Sequence, residues 1–262
     1  MDALTDSVWG LLSRGCMAAL VAIPVAWVAC LCLQTIPQRI HCWVWRICYA
    51  KVLLSAFCSI SIGIPLLSAS DSDNSTFPQS TSILTVEPIH ENPGFDVKSC
   101  LCVAWCLMAT VGVIRSFVEW KRSRRIRSHV ESIPKLVGSY RSISSELGIA
   151  RPPNLASSGL LHSPALVGLL SPSIVLPQGL ENQLDDEALE LILRHELAHY
   201  ERGDALWSIL PRLANCILFF HPLVWLAAYR WRLAQEAACD SVVLQGCREH
   251  SQKYFDTLLA VM

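Results

Sequence analysis

The sequence is short of charged residues. Asp, Glu, Lys and Arg make up 16% of its 262 residues, whereas soluble domains contain about one quarter, and 52% of the residues are hydrophobic. This composition makes a membrane protein the first expectation. The formal net charge of −1 gives the chain no overall attraction to anionic partners, so we expect no direct binding of nucleic acid.

The sequence also lacks any CxxC motif, although it contains 12 cysteines. Paired CxxC motifs are typical of structural zinc sites, and their absence argues against a site of that kind. Most of the cysteines lie in apolar stretches, where a thiol behaves as a small hydrophobic side chain. Cys239 is a weaker candidate for metal binding than Glu236, which is considered below.

Three segments lack charge over lengths that approach the thickness of a bilayer. Residues 15–38 and 52–70 carry no charge, and the uncharged stretch 99–114 can extend to residue 120. The first segment is long for a signal peptide and has no convincing cleavage site, so we interpret it as a retained helix. The sequence therefore predicts two transmembrane helices within residues 1–70 and a third at 99–120.

The segments between these helices differ in charge. Residues 71–97 contain five acidic residues and no Lys or Arg, whereas the link after the first helix and the run KRSRRIR at 121–127 are basic. The positive-inside rule places the loop 71–98 outside the cytoplasm, and it places the short link and residues 121–262 inside. The basic run lies beside an apolar helix, which favours contact with membrane lipid over nucleic acid.

The segment RHELAHYERGD, residues 194–204, contains the pattern HExxH. Acidic residues before it, apolar positions at helical spacing and Gly203 after it predict a helix. On that helix, His195 and His199 share one face and can bind one zinc ion. Glu196 lies beside that face and can take a proton from a zinc-bound water. The alternative is a chance match, so the prediction needs a third ligand.

A candidate third ligand lies in RLAQEAACDSVVL, residues 232–244. Glu236 and Asp240 are four apart and share a helix face. Glu236 can be the third protein ligand, which leaves the fourth position for water or substrate. Asp240 can accept a hydrogen bond from the other ring nitrogen of a ligand histidine. The alternative is that the two acidic residues form a solvated helix face.

The apolar segment 213–229 separates the two parts of this site. A single membrane crossing would place Glu236 and His195 on opposite sides, and residues 205–229 are too few for two crossings of about 20 residues each. Proline at position 222 disfavours helix at His221. We therefore predict a bent apolar hairpin at 205–229 that associates with the membrane without crossing it.

Three motifs, HELAHYERGD, FHPLVWLAAYRWRLAQEAACD and SPALVGLLSPSIVLPQGL, resemble the BlaR/MecR family of bacterial membrane metallopeptidases. The resemblance implies a gluzincin-type site with His195, His199 and Glu236 as Zn²⁺ ligands and Glu196 as the base. It implies an α-helical polytopic protein of the bacterial inner (cytoplasmic) membrane with a cytoplasmic α+β zincin protease domain. Family members that sense antibiotics continue into a further span and a sensor domain. This sequence ends at YFDTLLAVM, so it is either a fragment or receives a different signal.

Further site residues have weaker signals. Stretches 165–170 and 173–176 predict two short strands, and zincins pair an edge strand with the extended substrate. The alternative is a small core sheet. Asp204 either contacts the site or caps the next helix. His221 is a candidate for transition-state stabilisation, although a helix break is its plainer explanation. The remaining candidates are Tyr254 for the oxyanion and, for substrate binding, Ala165, Leu166, Val167 and Gly168.

The sequence thus predicts a zinc metalloendopeptidase that hydrolyses peptide bonds at the cytoplasmic face in regulated proteolysis and signal transduction. A transcriptional repressor is one candidate protein substrate, and a homo-oligomer is compatible with the sequence. One alternative is an HtpX-like protease for membrane-protein quality control. The other is a non-proteolytic receptor or scaffold with a structural zinc, against which Glu196 argues because a structural site needs no base.

Overall fold

Long helices account for most of the described residues in the amino-terminal part of the chain. The computed structural model describes residues 2–33, 35–58 and 97–246, and it begins with α1 (Asp2–Cys32), α2 (Gln38–Phe57) and α3 (Val97–Ser128). Two of the described helices are long and apolar enough to cross a membrane, over Thr5–Cys32 and Val97–Ser128. Most of the predicted second span and nearly all of the predicted acidic loop lie outside the described residues.

The predicted link between the first two spans is helical, because α2 already begins at Gln38. Residues at helical spacing on α2, among them Trp45 and Tyr49, are buried against α1 and the last described helix, α9 (Pro222–Gly246). The residues predicted as a short link therefore form part of a buried helix, which was not predicted. Three basic side chains interrupt the apolar pattern by which a buried helix face is normally detected.

A three-stranded sheet follows these helices. Strands β1 (Asn154–Ser158), β2 (Ala165–Val167) and β3 (Ser173–Pro177) lie in the order β1-β3-β2, with β1 parallel and β2 antiparallel to β3. Within the described residues β2 is thus an edge strand. It is shorter than the predicted stretch 165–170 because Gly168 turns the chain with a φ of +107°. Strand β1 was not predicted.

The sheet packs on helix α6 (Asp186–Glu201), which follows α4 (Val137–Glu146) and α5 (Leu180–Gln183). Helix α6 begins as predicted, with the Asp185 carboxylate accepting a hydrogen bond from the Ala188 N–H at 2.8 Å. Leu189, Leu193 and Leu197 are completely buried in the core that α6 forms with the sheet. Their spacing leaves the histidines of α6 on another face.

The described chain ends with α7 (Asp204–Trp207), α8 (Ile209–Ile217) and α9. The predicted break within 205–229 lies between α8 and α9, where the His221 N–H donates to the Leu218 carbonyl at 2.9 Å. Pro222 is the first residue of α9, a position where its missing N–H costs no helical hydrogen bond. The chain bends at this point, and α9 packs beside α6. Association of the hairpin with a membrane stays a prediction.

Candidate metal centre

Helix α6 sets His195, Glu196 and His199 close together. The two imidazole rings lie one helical turn apart, with 5.0 Å between their centroids. His195 and Glu196 are buried, and His199 is partly buried. The leucines of α6 fix this helix on the sheet, so the three polar side chains have defined positions.

Helix α9 brings two acidic residues to His195. Glu236 Oε2 lies 3.4 Å from Nε2 of His195, and Asp240 Oδ1 lies 3.3 Å from Nδ1. Since Glu236 and Asp240 are one turn apart on α9, one carboxylate reaches each ring nitrogen. Asp240 thus lies where its spacing predicted, beside the ring nitrogen that does not face Glu236.

His199 has a similar arrangement, with a carboxylate from another helix. Its Nε2 lies 3.7 Å from Glu236 Oε2, and its Nδ1 lies 2.9 Å from Oδ2 of Asp204. The other oxygen of Asp204 accepts hydrogen bonds from Arg46 at 3.0 Å and Arg202 at 3.4 Å. Of the two predictions for Asp204, the structure supports contact with the site, and no side chain caps α7.

The donor atoms of His195, His199 and Glu236 fit a zinc ion. Ligands at 2.0–2.1 Å from a tetrahedral zinc are about 3.3 Å from one another. The distances from the two Nε2 atoms to Glu236 Oε2 are 3.4 and 3.7 Å. Because Nδ1 of each histidine faces a carboxylate, Nε2 is left as the metal donor, as in carboxylate–histidine–zinc sites. These three residues can hold zinc.

A second group, His199, Asp204 and Cys239, is also close enough to share a metal ion. Its Asp204 carboxylate already accepts hydrogen bonds from Arg46 and Arg202, and Nη1 of Arg202 lies 3.3 Å from the Cys239 Sγ. Two guanidinium cations beside this group oppose a metal cation by like-charge repulsion. The structure therefore favours Glu236 over Cys239 as a ligand.

Burial and hydrogen bonds together set the charges of the ligand residues. Burial lowers the pKa of His195, but hydrogen bonds with Asp240 and Glu236 outweigh it, and the pKa is raised to about 9. Burial also opposes the charge on His199, whose hydrogen bonds, with Asp204 foremost, raise its pKa to about 12. Hydrogen bonds from both histidines lower the pKa of Glu236. Without metal, both imidazoles are therefore protonated at neutral pH.

Glu196 has a different environment from Glu236. Its burial raises the pKa of its carboxyl, and the carboxyl accepts a hydrogen bond from the backbone N–H of Leu166 on β2. A carboxyl with a raised pKa can both accept a proton and return it near neutral pH. Glu196 lies beside His195, His199 and Glu236, but its carboxyl is not part of the group that these three side chains form.

A cavity of about 530 Å³ lies over these residues, with β2 on one side and Glu236 and Asp240 of α9 on another. Leu166 faces Ile174 across the β2–β3 pair, yet its N–H is directed to Glu196. In an antiparallel strand the N–H and C=O of one residue point to the same side, so both groups of Leu166 point away from β3. They form a backbone edge directed into the cavity.

The other predicted site residues do not all join this cavity. Ala165 and Leu166 line it, whereas Val167 and Gly168 line an adjacent cavity of about 510 Å³ that shares Leu166 with the first. His221 is buried at the bend between α8 and α9 and is not among the residues that line either cavity. Tyr254 lies outside the described residues.

Sequence reasoning missed Arg46 and Arg202, the two cations that hold Asp204. Arg46 was assigned to the short link, whereas it is buried on α2. A signal for it exists in the sequence, since a single arginine among Trp, Cys and Val at buried helical positions requires a carboxylate partner. The sequence did not identify which carboxylate that is.

The family model described as BlaR1 peptidase M56 matches residues 11–262. The regulatory protein BlaR1 of Bacillus licheniformis is 25% identical over 151 residues, which cover 57% of this chain and 25% of that protein. The methicillin resistance mecR1 protein of Staphylococcus aureus is 26% identical over 106 residues, which cover 40% of this chain and 18% of that protein. The matched part is thus a quarter or less of each relative.

Proposed function

Because the chain belongs to the BlaR1 peptidase M56 family, which confirms the resemblance inferred from its motifs, we propose that it is a zinc metalloendopeptidase. The observation that carries this proposal is the convergence of His195 and His199 on the Glu236 carboxylate at 3.4 and 3.7 Å. Glu196 lies in the same cavity and contacts the edge strand β2. A metal site, a base and a strand edge therefore meet in one place.

Each residue has a separate role in the proposed hydrolysis. His195, His199 and Glu236 hold the zinc ion, which when bound supplies a Lewis acid that polarises a carbonyl and makes water more acidic. Glu196 accepts a proton from the water that attacks the scissile carbonyl carbon, and it donates that proton to the leaving amine nitrogen. Its raised pKa favours the first transfer, because it makes the carboxylate a stronger base. Asp204 and Asp240 hold the Nδ1 atoms of the two histidines.

We propose that the substrate binds as an extended strand along β2. The N–H and C=O of Leu166 point away from β3. The C=O can pair with a peptide that adds to the sheet edge, whereas the N–H donates to Glu196. A peptide in this position passes beside Glu196 and the histidines. The adjacent cavity, lined by Val167 and Gly168, can receive residues of the same peptide farther along the strand.

We propose that the chain is a multi-pass protein of the bacterial cytoplasmic membrane, with the cavity on the cytoplasmic side. Helix α3 supports this proposal, because only 6% of its most apolar stretch is buried and large side chains such as Leu107, Val113 and Phe117 are exposed. A continuous apolar surface of this kind fits lipid better than water. The basic run that ends α3 favours a cytoplasmic position for everything after it.

The proposed biological role is regulated proteolysis. The two relatives are named as a regulatory protein and a methicillin resistance protein, which favours a role in signalling. A signalling protease cuts one or a few proteins, and a transcriptional repressor is our candidate substrate. An HtpX-like quality-control protease would cut many proteins, so the number of substrates distinguishes these two functions.

The direct test compares the purified protein with its Glu196→Gln variant on a peptide library derived from bacterial proteins, with mass spectrometry to identify the products. The variant should keep close to one zinc per chain and lose cleavage by about 10²–10⁴-fold, because only the base is removed. Glu190→Gln, on the same helix but outside the cavity lining, is the matched control. Equal cleavage by both variants would contradict the proposal. Bound zinc without cleavage by the wild type would favour a structural site.

A further inference from the structure

Arg46 on α2 is a buried cation in contact with the metal centre. Its side chain is 6% exposed, and its Nη2 lies 3.0 Å from Oδ1 of Asp204, whose side chain is 7% exposed. Nη2 also donates to the backbone oxygen of Arg202 at 2.9 Å. The guanidinium carbon lies 4.9 Å from the ring centroids of both Trp43 and Trp207. These contacts fix the guanidinium in position.

Asp204 connects Arg46 to a metal ligand. One of its oxygens accepts the hydrogen bond from Arg46, and the other lies 2.9 Å from Nδ1 of His199. A cation that holds one carboxylate oxygen also sets where the other oxygen lies, because the carboxylate is rigid and planar. The orientation of the His199 ring therefore depends on a side chain from α2.

Helix α2 forms another ion pair, with α6, which serves as a comparison because it only joins two helix surfaces. Arg39 and Glu201 lie 3.1 Å apart, with side chains 56% and 38% exposed. Such a surface pair contributes little and involves no buried group. The pair of Arg46 and Asp204 is buried at a desolvation cost that docking alone does not require. Because Asp204 also contacts His199, this buried pair has a role beyond joining two helices.

We propose that Arg46 is a positioning residue for the metal centre, which acts through Asp204 to fix the orientation of His199. The inference rests on the proposed function of the site. It makes α2 a part of the metal centre, since Trp43 of α2 also contacts Trp207 of α7 with 5.6 Å between ring centroids. The zinc site is then fully formed only while α2 is docked against α7.

The test measures metal binding in the full chain, with Co²⁺ as a spectroscopic probe and Zn²⁺ affinity determined by competition with a chelator. Arg46→Gln and Asp204→Asn should each weaken binding by about 10–100-fold and alter the visible Co²⁺ spectrum. The double variant should bind no more weakly than Asp204→Asn alone, because both changes break one chain of contacts. Arg39→Gln, which removes the exposed pair, should bind within about twofold of wild type.

Two results would overturn the proposal: wild-type affinity and spectrum in Arg46→Gln, or fully additive losses in the double variant. Circular dichroism of the metal-free proteins checks that each variant folds. If Arg46→Gln does not fold, Arg46→Lys keeps the charge but loses the planar fork, and it should fold and bind metal more weakly. Wild-type binding by Arg46→Lys would then overturn the proposal. Metal binding that depends on Arg46, without peptide cleavage, would contradict the proposed function alone.

Discussion

His195 on α6 and Glu236 on α9 meet with 3.4 Å between Nε2 and Oε2. The bend between α8 and α9 makes this contact compatible with a chain that stays on one side of a membrane. Without metal, the contact joins a protonated imidazole to an ionised carboxylate, as the raised pKa of His195 and the lowered pKa of Glu236 indicate. A metal ion has to replace the proton between them.

Zinc binding should therefore release about two protons per chain at neutral pH. A ligating imidazole must be neutral, and the pKa values of His195 and His199, raised to about 9 and about 12, mean that both carry a proton before metal arrives. The lowered pKa of Glu236 means that it adds no third proton. Affinity should rise with pH, by about 100-fold per unit near neutrality.

Titration calorimetry in buffers with different heats of ionisation measures this release. Asp6→Asn serves as a control because Asp6 is on α1 and does not line the cavity. Binding without any proton release would show that the imidazoles are neutral in the metal-free protein. That result would contradict the charge state derived from the hydrogen bonds of the two histidines.

The backbone of β2 should matter more than its side chains. Leu166→Pro removes the N–H that donates to Glu196 and disturbs the edge geometry that a paired peptide needs, while that N–H is directed away from β3. Cleavage should fall by at least about 10-fold with zinc retained. Leu170→Pro, at an 89% exposed residue beyond the strand, is the control. Wild-type cleavage by Leu166→Pro would place the substrate elsewhere.

The proposed sidedness predicts which positions an impermeant thiol reagent reaches in intact cells. In a background without native cysteines, Ser142→Cys and Gln245→Cys, both at exposed positions, should react only after the membrane is opened. Ser80→Cys, in the predicted acidic loop, should react in intact cells. Opposite behaviour of positions 142 and 245 would mean that the chain crosses the membrane between them and would separate Glu236 from His195.

The sequence predicted those features whose signals are local. Helical spacing alone placed His195 and His199 on one face of α6, and Pro222 marked the bend before α9. Strand β2 is shorter than predicted because Gly168 has a positive φ, which ends the strand. That φ depends on the fold around the turn, so local sequence does not predict it. Strand β1 was missed because its residues NLASS show little of the apolar pattern of a strand.

Features that depend on distant contacts were not predictable in the same way. Helix α2 is buried by α1 and α9, and its basic residues concealed the buried face. The role of Asp204 stayed open because it depends on where Nδ1 of His199 points. The partner of Arg46 is Asp204, far along the chain, and no local spacing connects the two residues.

Zinc bound between His195, His199 and Glu236 is the premise of every proposed role, and X-ray absorption at the zinc edge tests that position most directly. The wild-type spectrum should show two imidazole nitrogens and oxygen ligands at about 2.0–2.1 Å and no sulfur. Glu236→Gln should weaken zinc binding and change the spectrum, whereas Cys239→Ser should leave the nitrogen and oxygen shells as they are. A sulfur shell at about 2.3 Å that disappears in Cys239→Ser would contradict the account, because it would place the metal in the group formed by His199, Asp204 and Cys239.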